Sequence, residues 1–186
     1  MKKQMICITG NIAVGKSEVA KRIANKLGFE LYKASNAFRE IARNMDMNLL
    51  EFCEYVNKNP DIDKKIEQNT KDFADTHSRV IIDARLGFYV APNAFKVYMT
   101  SDIDVAAERL LIAAKSRGKE EEYSSIEEAK HAIVAREKSE RDRYKELYNV
   151  DIENLNQYDF VIDTTHLSAT EVTDKIVEAY TKWEGE

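Results

Sequence analysis

Gly10-Asn11-Ile12-Ala13-Val14-Gly15-Lys16-Ser17 matches G-x-x-x-x-G-K-[ST] at every position. Met5-Ile6-Cys7-Ile8-Thr9 precedes it as an apolar strand pattern, and Val19, Ala20, Ile23, Ala24 and Leu27 follow at helical spacing. A phosphate-binding loop requires this strand–loop–helix context. Gly10 and Gly15 let the backbone turn tightly and point its N–H groups into an anion-sized hollow. The following helix adds the positive end of its dipole. Lys16 is placed to reach the β- and γ-phosphates of a nucleoside triphosphate, and the Ser17 hydroxyl to ligate Mg²⁺.

Outward from the loop, strand and helix patterns alternate, which predicts a parallel α/β sheet covered on both faces. The first helix pattern, Ser17–Leu27, stops at Gly28, and Phe29–Lys33 reads as a second strand. Three helical stretches follow at about 36–44, 48–58 and 61–77, with Asn48 and Pro60 as start signals. Strands are expected at 79–84, 94–100 and 160–164. Asp102 caps a helix expected to run to Gly118, and Lys119-Glu120-Glu121-Glu122 reads as a solvated turn. Ser124 with Glu127 and Ser125 with Glu128 offer two capping boxes for a helix to about Tyr148, and Ser168 with Glu171 offers one for the last helix. The 186 residues read as a single domain without internal repeats.

The chain carries a net charge of −5 with 33% charged residues, so neither a nucleic-acid nor a membrane partner is expected. Cys7 and Cys53 have no partner at metal-ligand or CxxC spacing and read as reduced core residues of a cytoplasmic protein. The basic start, Met1-Lys2-Lys3-Gln4, leads into only five apolar residues before the loop, so it reads as the approach to a strand rather than a signal peptide. A monomer acting on small-molecule nucleotides is expected.

A GTPase needs an Asn-Lys-x-Asp segment. Asn25-Lys26-Leu27-Gly28 and Asn57-Lys58-Asn59-Pro60 both lack its Asp. A kinase needs a second anion site and arginines for the transferring phosphoryl group. Asp83 ends the third strand pattern and Arg85 follows, where an open parallel sheet gathers its ligands. Asp83 suits Mg²⁺ or its waters, or alternatively a base orienting the acceptor oxygen. Arg85 and Arg39 suit an acceptor phosphate. Arg136, Glu140 and Arg143 share one helix face, with Arg141 on another, and read either as a solvated ion-paired face or as a lid closing over phosphates. Arg109 is placed either to stack on an adenine or to pair with neighbours of Glu108. His77, His131 and His166 share no spacing and are read as non-functional; Tyr144, Tyr148, Tyr158, Tyr180 and Trp183 are read as core or rim.

Gly10–Ser17, Phe38-Arg39-Glu40, Asn59-Pro60-Asp61-Ile62-Asp63, Asp83-Ala84-Arg85-Leu86-Gly87, Arg136–Tyr148 and Tyr158–Thr164 occur in one order along nearly the whole chain. In this it resembles the cytidylate kinase family in its short form. The resemblance implies a three-layer P-loop kinase fold with a five-stranded parallel sheet, a helical monophosphate-binding subdomain at about 35–78 and a lid at about 115–145. It also implies ATP- and Mg²⁺-dependent phosphorylation of CMP and dCMP. By the same resemblance Arg39 and Arg85 grip the acceptor phosphate, Arg136 and Arg143 act from the lid, and Glu140 touches the acceptor nucleoside. The loop interior Asn11–Val14, Ser35, Ala84 and Ala113 depart from the usual pattern, the loop being more like that of deoxynucleoside kinases. Other readings are a kinase for another small acceptor, a nucleoside or shikimate-like metabolite, or a non-catalytic nucleotide-binding regulatory protein.

Overall fold

Strand β1 (Met5–Gly10) is buried along its whole length, and its side-chain alternation assigns its neighbours on the two faces. Ile6 and Ile8 join a core with Val19, Ala20 and Ile23 of α1 (Lys16–Leu27) and Val172, Ile176 and Tyr180 of α8 (Ala169–Gly185). Met5 and Cys7 face the opposite way, onto Ile66 and Ala74 of α4 (Pro60–Thr76). The structure, a computed structural model, describes residues 4–115 and 123–185.

Around β1 run β2 (Glu30–Lys33), β3 (Val80–Asp83), β4 (Phe95–Thr100) and β5 (Phe160–Asp163). All pairings are parallel, in the order β2-β3-β1-β4-β5. The chain thus leaves β1 toward one edge for β2 and β3, then crosses to the other for β4 and β5. The carboxyl end of β1 is therefore where connections part to opposite sides, which opens a crevice for ligands there.

Between β2 and β3 lie α2 (Ala34–Asn44), α3 (Leu49–Lys58) and α4. Asn48 forms a full capping box with Glu51 at the start of α3, and Pro60 occupies the first turn of α4, where its missing N–H costs nothing. Phe38, Phe52, Leu49 and Val56 pack α2 and α3 together. Two short elements escape the periodicity: α5 (Gly87–Val90) and a 3₁₀ turn at Leu155–Gln157. Each is under two turns long, too short to show a period.

Strand and helix boundaries differ from the sequence reading by one or two residues at most elements, the usual fraying range. A larger difference concerns α6 (Ile103–Ala114), which starts at the expected Asp102 cap but ends at Ala114, with Lys115 as its C-cap, instead of reaching Gly118. The charged turn at 119–122 lies outside the described residues. At α7 (Ile126–Tyr148), Ser125 Oγ accepts from Glu128 N, the first half of the expected Ser125–Glu128 box, but neither of the two expected boxes closes. Glu128 instead accepts from both Ser124 N and Ser124 Oγ, and Glu127 turns to Lys130. Ser168 and Glu171 form their reciprocal pair at the start of α8. Both cysteines are buried and unpaired, and among the described residues no helix is long and apolar enough to cross a membrane.

Candidate active site

Thr9 and Gly10 bring the chain off the sheet. Gly10 has φ +139°, and an added Cβ there would lie 2.0 Å from the Met99 carbonyl oxygen, so only glycine lets β1 pass β4 this closely. The loop is held to the sheet by Asn11 N donating to Met99 O at 2.9 Å. Gly15, at φ +89°, caps α1 in the left-handed region, and nothing stands within 4 Å of where its Cβ would be. Val14 is buried in the core and anchors the loop from beneath. Ile12 packs against α6 and α7 with Ala106, Leu110 and Ile133.

One cavity of about 380 Å³ opens over this loop. Ile12, Ala13, Gly15, Lys16 and Ser17 line one end, together with Asp83, Arg85 and Arg109. Arg39, Asp63, Glu67, Arg136, Glu140 and Arg143 line the rest, with Phe38, Leu49 and Ile66 as apolar wall. The fold thus brings every residue named for acceptor binding or for the lid face to the same space as the loop.

Ser17 Oγ donates to Asp83 Oδ2 at 2.6 Å. Register places Asp83 beside Ile8 on β1, so the carboxylate and the hydroxyl meet across the sheet's carboxyl edge. Two oxygen donors side by side fit a hard cation such as Mg²⁺. Lys16 Nζ donates to the carbonyl oxygens of Gly10 (2.9 Å) and Asn11. Burial, and secondarily the Arg85 charge, push its pKa down to about 7. Arg85 pairs with Glu140 through Nε–Oε2 at 2.8 Å and donates to Gly10 O, which ties α7 to the loop. Thr9 Oγ1 donates to Ala84 O at 3.1 Å and steadies the turn that presents Arg85.

Arg136, Glu140 and Arg143 are all buried on the inner face of α7. The solvated-face reading holds only for the other side of that helix, where Arg141 pairs with Glu153 and Lys138 with Asp142. Arg143 donates to Asp63 Oδ1 (3.1 Å) and to Asn57 Oδ1 (3.0 Å), joining α7 to α4 and α3. Tyr148 donates to Asp63 Oδ2 at 3.1 Å, while burial raises the Asp63 pKa against the pull of Arg143. Arg109 does not pair with neighbours of Glu108. Its two terminal nitrogens donate to Thr164 Oγ1 (3.0 Å) and Thr164 O (2.8 Å), which fixes the side chain along the cavity margin after β5. His77 stacks on Phe73, and His131 and His166 are exposed, away from the cavity. Tyr144, Tyr158 and Tyr180 are buried in the cores, and Tyr144 also lines the cavity.

A profile of the cytidylate kinase-like family matches residues 5–166. The chain belongs to the cytidylate kinase-like family. A cytidylate kinase of Archaeoglobus fulgidus is 33% identical over 175 residues, covering 94% of this chain and 93% of that protein. An S-adenosylmethionine-dependent nucleotide dehydratase of Lacinutrix mariniflava is 35% identical over 181 residues. That match covers 97% of this chain, and the chain spans only 36% of the length of that relative. Among solved structures, shikimate kinase from Bacteroides thetaiotaomicron superposes with a TM-score of 0.63 at 13% identity, over 94% of this chain and 97% of that one. That likeness shows the P-loop kinase fold. Family and fold together make this chain a kinase-type phosphotransferase, and the family implies ATP and Mg²⁺.

Three residues of the site stayed outside the sequence-based assignment. Glu137 accepts from Ile12 N (2.7 Å) and Asn11 Nδ2 (3.1 Å), so the α7 helix touches the phosphate loop directly. Asp63 and Glu67 sit on the buried stripe of α4 with Ile66, Thr70 and Ala74. Two carboxylates on the apolar face of an amphipathic helix are the signal that would have found them.

Proposed function

We propose that the chain transfers the γ-phosphoryl group of ATP to CMP and dCMP. The observation that carries this reading is the single cavity joining the phosphate loop, with Lys16 and the Ser17–Asp83 pair, to the arginines Arg39, Arg85, Arg136 and Arg143. Two anionic groups facing each other need this division of positive charge. The cytidylate kinase relatives support the acceptor, and the dehydratase relative is likewise a nucleotide enzyme.

In this reading the backbone N–H groups of Ile12–Ser17 and the Lys16 ammonium hold the donor phosphates, with Arg109 at the margin. Lys16 leaves the Gly10 and Asn11 carbonyls for the phosphates, and the added negative charge holds its proton. Ser17 and Asp83 are the residues that would hold Mg²⁺, which when bound neutralises charge between the β- and γ-phosphates. Arg39 and Arg85 orient the acceptor phosphate. An oxygen of that phosphate forms a bond to the γ-phosphorus as the bond to the β-bridging oxygen breaks, and ADP leaves. Arg136 and Arg143 take up charge on the transferring group and, with α7 as the described part of a lid at about 115–145, of which 116–122 lie outside the described residues, exclude water that would otherwise hydrolyse ATP. The helices at about 35–78 serve as the acceptor subdomain.

Acceptor-dependent ADP release tests the reading across CMP, dCMP, UMP, AMP, nucleosides and shikimate. CMP and dCMP are expected to give the highest kcat/KM. If no acceptor raises ADP release above background, the chain binds nucleotide without turnover and the proposal fails.

A further inference from the structure

Among the carboxylates lining the cavity, Asp63 and Glu67 of α4 and Glu140 of α7 spend their hydrogen-bonding capacity unequally. Asp63 uses both oxygens, one for Arg143 and one for Tyr148. Glu140 is paired with Arg85. Glu67 is different: it lines the cavity at 7% exposure, and its Oε2 is buried with no hydrogen-bond partner. A buried polar atom left without a partner costs roughly 1–3 kcal/mol, so such atoms are rare unless a ligand completes them. Phe38, Leu49 and Ile66 add apolar lining to the same cavity, suited to contact with a ring.

We propose that Glu67 reads the base of the acceptor nucleotide, pairing its carboxyl group with the donor–acceptor edge of a pyrimidine. The inference rests on the CMP kinase reading and names a residue that recognises the base of the acceptor. Cytosine presents its N4 amino donor beside the N3 acceptor. A neutral carboxyl answers both, its carbonyl oxygen accepting from N4–H and its O–H donating to N3. Uracil presents N3–H beside O4, the same pair in reverse order, and the same carboxyl can meet it. The proton is available because burial, followed by the nearby Asp63 charge, lifts the Glu67 pKa to about 8. Asp63 on α4 and Arg143, Tyr144 and Tyr148 on α7 interact with its charge, and the other elements packed against α4 carry titratable or charged groups of their own, Arg39 on α2, Cys53 on α3, Tyr32 on β2, Asp83 on β3 and Tyr89 on α5. Of these, Asp63 and Arg143 act directly on the Glu67 charge, in opposite directions.

The test compares wild type, Glu67→Gln and Glu67→Ala in steady-state kinetics with CMP and with UMP between about pH 6.5 and 9.5, a range that brackets the raised Glu67 carboxyl and lies well above an ordinary one. Glu67→Ala should raise the CMP KM by at least about tenfold with the ATP KM unchanged. Glutamine keeps one donor and one acceptor on the same stem, so Glu67→Gln should stay within about threefold of wild type at pH 7. The decisive readout is the pH profile. Wild-type KM for CMP should climb above pH about 8, approaching tenfold per unit, as binding requires a proton on the carboxyl, while Glu67→Gln loses that limb. A loss shared by CMP and UMP assigns Glu67 to the edge common to both, and a loss confined to CMP assigns it to cytosine. A wild-type CMP KM in Glu67→Ala, or identical pH profiles for wild type and Glu67→Gln, overturns the inference while the kinase reading stands. If Glu67→Ala does not fold, the glutamine pH profile alone decides. A wild type inert toward CMP, dCMP and UMP ends both readings together.

Discussion

Gly10 and Gly15 look equivalent in the motif but answer to different forces. At Gly10 a methyl group would lie 2.0 Å from the Met99 carbonyl oxygen, with φ at +139°. Neither the β1–β4 pairing nor the central strand can give way cheaply, so Gly10→Ala should lose about 3 kcal/mol or more of stability, as strain and overpacking add. At Gly15 the methyl would meet nothing within 4 Å, so only the cost of φ +89° remains. Gly15→Ala should therefore stay folded, about 1–2 kcal/mol weaker, and lose donor affinity because its methyl projects into the space over the loop. Urea denaturation with an ATP titration separates the two. Equal stability losses would mean that the close approach at Gly10 is not what the first glycine serves.

The loop was legible in the sequence because its chemistry is local: eight consecutive residues specify a turn, a helix start and an anion hollow. Helix α7 was legible only in part. Its 3.6-residue period places Arg136, Glu140 and Arg143 on one face, but a face of charges reads equally as solvated. What buries it is tertiary: Asp63 and Asn57 from two other helices supply the partners, and neither contact has a sequence-local signature. The same holds for Glu137, whose contact with Ile12 N spans 125 positions of chain. That contact places a carboxylate on an amide of the phosphate loop, in competition with any anion. Glu137→Ala should tighten ATP binding roughly tenfold, the worth of a charge-assisted hydrogen bond no longer displaced. Calorimetry with a non-hydrolysable ATP analogue measures it directly. Weaker binding in the variant would instead mean that Glu137 holds the loop in its binding-competent shape.

At the scale of the whole molecule, the sheet supplies a rigid edge and the helices supply two walls around one cavity. One wall is built from the phosphate loop after β1 and from α6. The opposite wall is built from α2, α3 and α4, and α7 touches both, through Arg85–Glu140 and Glu137 on one side and Arg143–Asp63 on the other. A ligand at either end therefore acts on the same helix. Each nucleotide alone at a hundredfold excess over its Kd should stabilise the fold by about 2.7 kcal/mol, or roughly 5–10 °C in Tm for a chain of this size. If α7 settles once for both ligands, the first to bind bears most of its ordering cost and the second gains more than it would alone. CMP with a non-hydrolysable ATP analogue should then raise Tm by more than the sum of the separate shifts. The coupling should fall toward simple addition when Arg143→Ala is combined with Tyr148→Phe, which together remove both links from α7 to Asp63 of α4 while leaving the contacts of α7 with the loop in place. Strict additivity in the wild type would show two independent sites sharing a cavity, with α7 a fixed wall.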